Sequence, residues 1–166
     1  MELVEGRVED SEALVEDLQR IGAEYGVAAQ AFDARLVAGP DHLRSAVEHA
    51  ERAIDRGENV ADDPAVEILL YAAGRRQIER ALEMGVEDGD TAAVVVAGVG
   101  GDGDESGAAA AVGDLLAPVE EGAAFDARDE AAIRAFFDIT AAETDATAGD
   151  LVDLVRERVA LLDVEK

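Results

Sequence analysis

The residues best suited to bind a phosphate group lie together in the middle of an acidic chain. Between Tyr71 and Arg80 there are three arginines and one glutamate, whereas residues 81–127 contain eleven acidic residues and no basic one. Arginine donates paired hydrogen bonds to phosphate and can stack on bases, and the N-terminus of a helix also favours an anion. The sequence therefore predicts an anion site at the start of a helix. Its residues are Gly74, Arg75, Arg76 and Gln77, with Tyr71 nearby as a stacking face.

An ordinary solvated helix would account for the same arginines. In that interpretation Arg75 and Arg80 form ion pairs with Glu79 and Glu83 along one helix, because residues three or four positions apart are neighbours on a helix surface. The residue types alone favour neither interpretation, so both remain open at this level.

A glycine-rich segment gives a second candidate for phosphate binding. Residues Gly98–Gly103 have the spacing GxGxxG and follow an apolar stretch at 92–97 that is typical of a buried strand. In dinucleotide-binding proteins such glycines let backbone N–H groups approach a pyrophosphate. Acidic side chains in or next to the segment would repel that anion, and they are Asp102, Asp104 and Glu105. We therefore expect a solvated turn, with a small nucleotide-binding enzyme as the alternative.

Other catalytic and metal-binding patterns are weak. The chain has no cysteine, which excludes disulfides and thiolate sites. The segment from Asp102 starts like an EF-hand loop, but Gly113 stands where that loop requires a bidentate glutamate. His42 and His49 lie seven positions apart on one expected helix, where we expect exposed side chains without a nucleophile as partner. The sequence thus predicts no metal, no cofactor and no enzymatic activity.

The net charge is a poor guide to the partner of this chain. It is −25, and the basic residues are 13 arginines and one lysine. Acidic residues spread along a whole chain with almost no lysine are typical of adaptation to high salt, where a Debye length of about 3 Å screens the repulsion of phosphate. The chain begins without a secretory signal, and its apolar runs are too short for a membrane span. We therefore expect a soluble cytoplasmic protein for which nucleic acid is a permitted partner.

Apolar periodicity predicts one α/β or α+β domain over residues 1–166, with a mixed, mostly antiparallel sheet covered by several helices. Strands are expected at 1–8, within 27–38, at 92–97 and near 116–119. Helices are expected from Ser11 to Tyr25, from Asp41 to Arg56, from Pro64 to Ala73, over 75–84 with Ile78, Ala81 and Leu82 inward, and around Asp129 to Phe137. The segment Thr147–Asp150 has the pattern of a capping box for a last helix, whose apolar stripe is Leu151, Leu154, Val155, Val159 and Leu162.

Several segments of the chain resemble one protein family. They are Val37–Leu43 (VAGPDHL), Glu67–Tyr71 (EILLY), Gly74–Ile78 (GRRQI) and Ala81–Val86 (ALEMGV). Over about residues 27–100 the chain resembles the small kinase-binding subunit of the KEOPS complex, the family of the PRPK-binding protein, in a haloarchaeal form.

The resemblance implies a non-catalytic subunit of the machinery that installs threonylcarbamoyl on the adenosine next to the anticodon of tRNA. Members of this family bind a kinase-like ATPase, and archaeal members help to recruit tRNA through its 3′ CCA end. Transferred to this chain, the resemblance puts the Gly74–Gln77 segment at the tRNA end, with Tyr71, Arg80 and His42 as weaker candidates.

For the kinase contact we expect exposed apolar positions on two helices. Candidates are Leu69 and Leu70 on one helix, and Leu151 and Val155 on the C-terminal helix. A protein-only adaptor without nucleic-acid contact is the remaining alternative.

Overall fold

Short strands are interspersed among helices of very different length. The structure is a computed structural model that describes residues 1–146 and 149–165. In chain order its elements are β1 (Glu2–Arg7), α1 (Ser11–Tyr25), β2 (Ala28–Asp33), a 3₁₀ turn (Ala34–Leu36), α2 (Pro40–Asp55), α3 (Pro64–Ala73), α4 (Ile78–Ala81), a second 3₁₀ turn (Leu82–Met84), β3 (Thr91–Ala97), α5 (Glu105–Leu115), α6 (Ala123–Asp126), α7 (Glu130–Phe136), α8 (Ala141–Ala146) and α9 (Leu151–Glu165).

The described residues form two compact units. The first comprises Met1–Ala34 and Gly85–Ala127, and the second comprises Arg35–Met84 and the chain from Arg128 onward. The expected α+β class is confirmed, whereas one domain over residues 1–166 stays a prediction. Within the part of the chain that the structure describes, no helix is both long and apolar enough to cross a membrane.

The first unit is built on a three-stranded antiparallel sheet in the order β1-β3-β2. The central strand β3 is buried from Ala92 to Ala97, as its continuous apolar run predicts. Helices α1 and α5 pack on one face of the sheet and complete its apolar core. Helix α1 has the expected ends, because Asp10 accepts the N–H of Ala13 and Gly26 adopts a left-handed conformation.

Two of the expected strands differ from those in the structure. The strand expected within 27–38 ends at Asp33, where a 3₁₀ turn begins. The strand expected at 116–119 is wrong, since this segment contributes only an isolated bridge between Arg7 and Ala117. Pro118 follows that bridge and has no N–H to extend the ladder.

In the second unit α2 packs against α3 and α9. Helix α2 begins one residue earlier than expected, at Pro40, because proline suits the first helical position, and Gly39 rather than Asp41 is its cap. Helix α3 begins as expected, with Asp63 accepting the N–H of Ala65 at 2.9 Å. The helix expected over 75–84 is wrong in extent, because only α4 and the following 3₁₀ turn form.

The C-terminal helix α9 has the expected buried stripe, formed by Leu151, Leu154, Val155, Val159 and Leu162. Its start is held by Asp150 and Asp153, each of which accepts the backbone N–H of the other, at 3.1 and 3.2 Å. The first two residues of the expected capping box, Thr147 and Ala148, lie outside the described residues.

Candidate functional site

The candidate site lies where the chain leaves α3 at Gly74. This glycine has φ of 61°, a left-handed conformation that side chains disfavour. A Cβ atom added there would lie 3.1 Å from the carbonyl oxygen of Arg158 on α9. The N–H of Gly74 donates to Tyr71 and that of Arg75 donates to Leu70, which satisfies carbonyls at the end of α3. Glycine is therefore required both by the turn and by the close approach of α9.

The backbone after Gly74 does not form the expected anion site at a helix start. The N–H of Arg75 is already bonded to Leu70. The next helix begins only at Ile78 and has four residues, too few for a substantial dipole. Any affinity of this segment for an anion must come from its side chains.

The guanidinium of Arg75 is turned toward the end of α7. It donates a hydrogen bond to the carbonyl of Phe136, lies 3.6 Å from the carboxylate of Asp138 and lies 5.4 Å from the centre of the Phe136 ring. The ion pair with Glu79 that a solvated helix would contain is thus replaced by one with Asp138. Arg75 therefore contributes mainly to the packing of the second unit, and its charge is already engaged by Phe136 and Asp138.

Arg158 of α9 binds the same end of α7. Its Nε donates to the carbonyl of Phe137 at 3.1 Å, and its Nη2 lies 2.8 and 2.7 Å from the two carboxylate oxygens of Glu143. That ion pair holds the pKa of Glu143 below its ordinary value. We call residues Phe136, Phe137 and Asp138 the α7 end. Two arginines bind its carbonyls, which have no partner inside the helix itself.

Arg76, Gln77 and Arg80 are exposed. Arg76 donates to the carbonyl of Glu165 at 3.1 Å. Arg80 is 57% exposed and lies 3.9 Å from Glu83, which confirms the second expected ion pair, although Glu83 lies in the 3₁₀ turn after α4. Exposed contacts of this kind contribute at most about 1 kcal/mol, so a ligand can displace them at little cost.

Tyr71 is buried and offers no stacking face in this structure, which corrects that expectation. Its hydroxyl donates to Asp163 at 2.5 Å, and its ring stacks on His49 with 5.6 Å between ring centres. Burial and then the nearby carboxylate of Asp163 raise the pKa of Tyr71 far above its ordinary value. The carboxylate also bonds His49 at 2.7 Å, so this cluster joins α9 to α2 and α3.

His42 is also buried, which corrects the expectation of an exposed histidine. Its Nδ1 accepts the N–H of Ala38 at 3.1 Å, and its Nε2 lies 2.8 Å from the carbonyl of Ala72. These partners require a neutral ring with the proton on Nε2. Burial lowers the pKa of His42 to about 4. The residue therefore supports the last turn of α3 from inside and does not face a ligand.

The four apolar candidates for the kinase contact are buried in the second unit. They are Leu69, Leu70, Leu151 and Val155. Exposed apolar side chains of the same unit lie elsewhere: Ile78 is 46% and Leu82 57% exposed, and on α9 Leu161 is 39% and Val164 80% exposed. The sequence missed these positions because apolar type does not separate a core face from a docking face. Ile78 and Leu82, expected inward, face solvent.

The glycine-rich loop is occupied by its own acidic residues. The N–H of Gly98 donates to Glu105 at 2.7 Å, and that of Gly107 donates to Asp104 at 2.9 Å. The bond from Gly98, followed by the pairing with the amino group of Met1, holds the pKa of Glu105 below its ordinary value. The N–H groups of Val99 and Gly101 donate to the carbonyls of Ala97 and Gly98. Three amides of the loop are thus bonded within the protein, one of them to a carboxylate. Among the described residues no group of three or more His, Asp or Glu side chains could hold a metal ion.

Comparison with known proteins assigns the family. The model of the family described as "Kinase binding protein CGI-121" matches residues 6–163. No curated protein matches the chain. The family match includes α2, α3, the Gly74 turn and most of α9, the elements that build the candidate site. It confirms the resemblance to the small kinase-binding subunit of KEOPS, and the chain belongs to the CGI-121 family of kinase-binding proteins.

Proposed function

We propose that this chain is a non-catalytic subunit that binds a kinase-like ATPase and recruits tRNA through its 3′ CCA end for threonylcarbamoyl modification. The kinase-binding family supports the first part of the proposal. The observation that carries the second part is the exposed cationic segment of Arg76, Gln77 and Arg80 in a chain of net charge −25.

The chemistry of this segment suits a single-stranded RNA end better than a duplex. A duplex requires many cations along its backbone, because each phosphate neutralised contributes to the affinity. An unpaired end needs a few phosphate donors and flat groups on which its bases stack, and a guanidinium plane serves for this as an aromatic ring does. Arg76 and Arg80 provide the donors, and the exposed Ile78 and Leu82 provide aliphatic surface in the same segment.

For the kinase we propose the outer face of α9. Leu161 and Val164 are three positions apart on that helix and both are exposed. Side chains at this spacing lie on one face, so Leu161 and Val164 together give α9 an exposed apolar strip to which a partner can bind. The buried stripe of α9 holds the helix in the second unit, so a partner can bind the outer face without unfolding it.

The RNA proposal is tested by reversing the exposed charges. The double variant Arg76→Glu and Arg80→Glu should weaken binding of tRNA and lower the slope of log K against log salt by about 1.4, since each phosphate contact of a single strand contributes about 0.7. Fluorescence anisotropy over a series of KCl concentrations measures both. The matched control is Arg20→Glu with Arg44→Glu, which changes the net charge equally at two exposed arginines, each paired with a nearby carboxylate. The control should bind tRNA like the wild type.

A tRNA that lacks CCA tests the same proposal from the ligand side. We expect the wild-type protein to lose affinity for it to a similar extent. If neither the charge reversal nor the truncation changes binding while the kinase still binds, the chain is a protein-only adaptor and the RNA proposal is wrong.

A further inference from the structure

Arg75 and Arg76 are neighbours in sequence, but their guanidinium groups have opposite surroundings. The side chain of Arg75 is 21% exposed and is bound by Phe136 and Asp138. Arg76 is exposed, and its guanidinium donates to a backbone carbonyl, that of Glu165. A charge that already has a carboxylate, a carbonyl and a ring as partners gains little from a phosphate, because it would first have to give them up.

We propose that Arg75 is a positioning residue for RNA binding, and that Arg76 and Arg80 make the phosphate contacts. This inference rests on the proposed function. Through Phe136 and Asp138, Arg75 fixes the segment that follows Gly74 to the α7 end, and so determines where the Arg76 side chain emerges. The positive charge of Arg75 matters less than the shape of its guanidinium.

The support for the segment is built from several independent contacts. Gly74 lies against the backbone of Arg158, and Arg158 itself donates to Phe137 and Asp138. Asp138 has φ of 54°, a conformation that ends α7 and that aspartate tolerates better than most residues. The α7 end therefore receives one arginine from the segment after α3 and one from α9.

Lysine cannot replace arginine in this arrangement. Its ammonium carries the same charge but lacks the planar fork that bonds a carbonyl and a carboxylate together and lies on a ring. The variant Arg75→Lys thus separates shape from charge. A positioning role predicts weaker RNA binding with the charge retained, whereas a phosphate contact predicts affinity close to that of the wild type.

The dependence of tRNA affinity on KCl concentration measures the number of phosphates contacted. Removing one contact lowers the slope of log K against log salt by about 0.7 for a single strand, and we expect this for Arg76→Ala. For Arg75→Lys we expect the affinity for tRNA to fall on the order of fivefold, because the Arg76 side chain is then displaced from its binding position. The slope should remain that of the wild type. Arg158→Lys should behave like Arg75→Lys, although it lies on α9 outside the cationic segment.

The control is Arg44→Lys, which keeps a charge at an exposed arginine outside the cationic segment and should bind like the wild type. Thermal unfolding verifies that each variant is folded. If Arg75→Lys does not fold, Arg158→Lys tests the proposal instead. Wild-type affinity for both lysine variants, or a lower slope for Arg75→Ala equal to that of Arg76→Ala, would overturn the positioning role. Failure of the proposed function is distinct, because then Arg76→Glu with Arg80→Glu would also leave tRNA binding unchanged.

Discussion

Two loops of this chain have sequences that suggest anion binding, and they are built in opposite ways. In the first unit, the loop that begins at Gly98 already binds a carboxylate of the protein, because the Gly98 N–H donates to Glu105. In the second unit, the turn at Gly74 uses its backbone N–H groups to close α3. Only the second loop is followed by exposed arginines, Arg76 and Arg80.

The difference shows why a glycine pattern alone is a weak indicator of a phosphate site. Glycine permits a backbone conformation, but the groups that then meet the backbone decide its electrostatics. At Gly98 an anion is already present within the protein. At Gly74 the neighbour is the carbonyl of Arg158, and the ligand-binding charge has moved from the backbone to the side chains.

The largest expected difference between the two loops is their response to acid. The last turn of α3 depends on neutral His42, whose pKa falls from 6.5 to about 4 on folding. A folded pKa below the unfolded one means that the unfolded state binds the proton first, so this stabilisation is complete above pH 6.5 and is lost toward pH 4. The shift corresponds to about 3 kcal/mol. Urea unfolding between pH 7 and pH 4 should reveal this loss.

The variant His42→Gln separates this loss from acid effects elsewhere, because glutamine keeps hydrogen-bonding groups but does not titrate. Its free energy of unfolding should be lower than that of the wild type at pH 7 and should change much less between pH 6.5 and 5. The carboxylate of Glu105 has a lowered pKa, so the first loop loses stability only at still lower pH, below the ordinary pKa of a glutamate. If the free energy of unfolding depends on pH equally in the wild type and in His42→Gln, the role assigned to His42 is wrong.

The next largest effect is expected from adding one methyl group to each loop. Gly74→Ala forces alanine into a left-handed conformation and brings its Cβ to 3.1 Å from the Arg158 carbonyl, and should cost roughly 2 to 3 kcal/mol. Gly100 also has positive φ, but a Cβ there meets nothing within 4 Å, so Gly100→Ala should cost roughly 1 kcal/mol. The difference between the urea midpoints of Gly74→Ala and Gly100→Ala measures the contribution of the contact with α9. Similar midpoints would mean that α9 moves away from the added methyl group at no cost.

Most of the fold follows from local patterns in the sequence. The ends of α1, the start of α3 at Asp63 and the buried stripe of α9 are set by caps and apolar spacing, which act within a few residues. Local patterns fail where a neighbouring residue, in the chain or in space, determines the backbone conformation. Pro118 stops a strand, and the residues after Gly74 leave the helical conformation because the α7 end provides their partners.

The candidate site is less predictable than the fold, because residue type does not reveal which way a side chain faces. Arg75 and Arg76 are identical in type and adjacent, yet the side chain of Arg75 is largely covered by Phe136 and Asp138, whereas that of Arg76 is exposed. Tyr71 and His42 have the chemistry of ligand-binding residues, but long-range hydrogen bonds with Asp163 and Ala72 keep them in the interior. The cationic segment itself was predictable, since the reversal of local charge is visible in the sequence.

The smallest expected effect is at the glycine-rich loop, where we expect no nucleotide to bind. Calorimetric titration of the wild-type protein with ATP or NAD should give no heat of binding, because Glu105 already accepts the Gly98 N–H. The variant Glu105→Gln removes that charge, yet Asp102 and Asp104 remain beside the loop and should still repel a pyrophosphate. Heat with the variant alone would mean that Glu105 is the only barrier and that the two loops differ by one carboxylate. Saturable heat with the wild type would restore the nucleotide-binding alternative and remove the contrast between the loops.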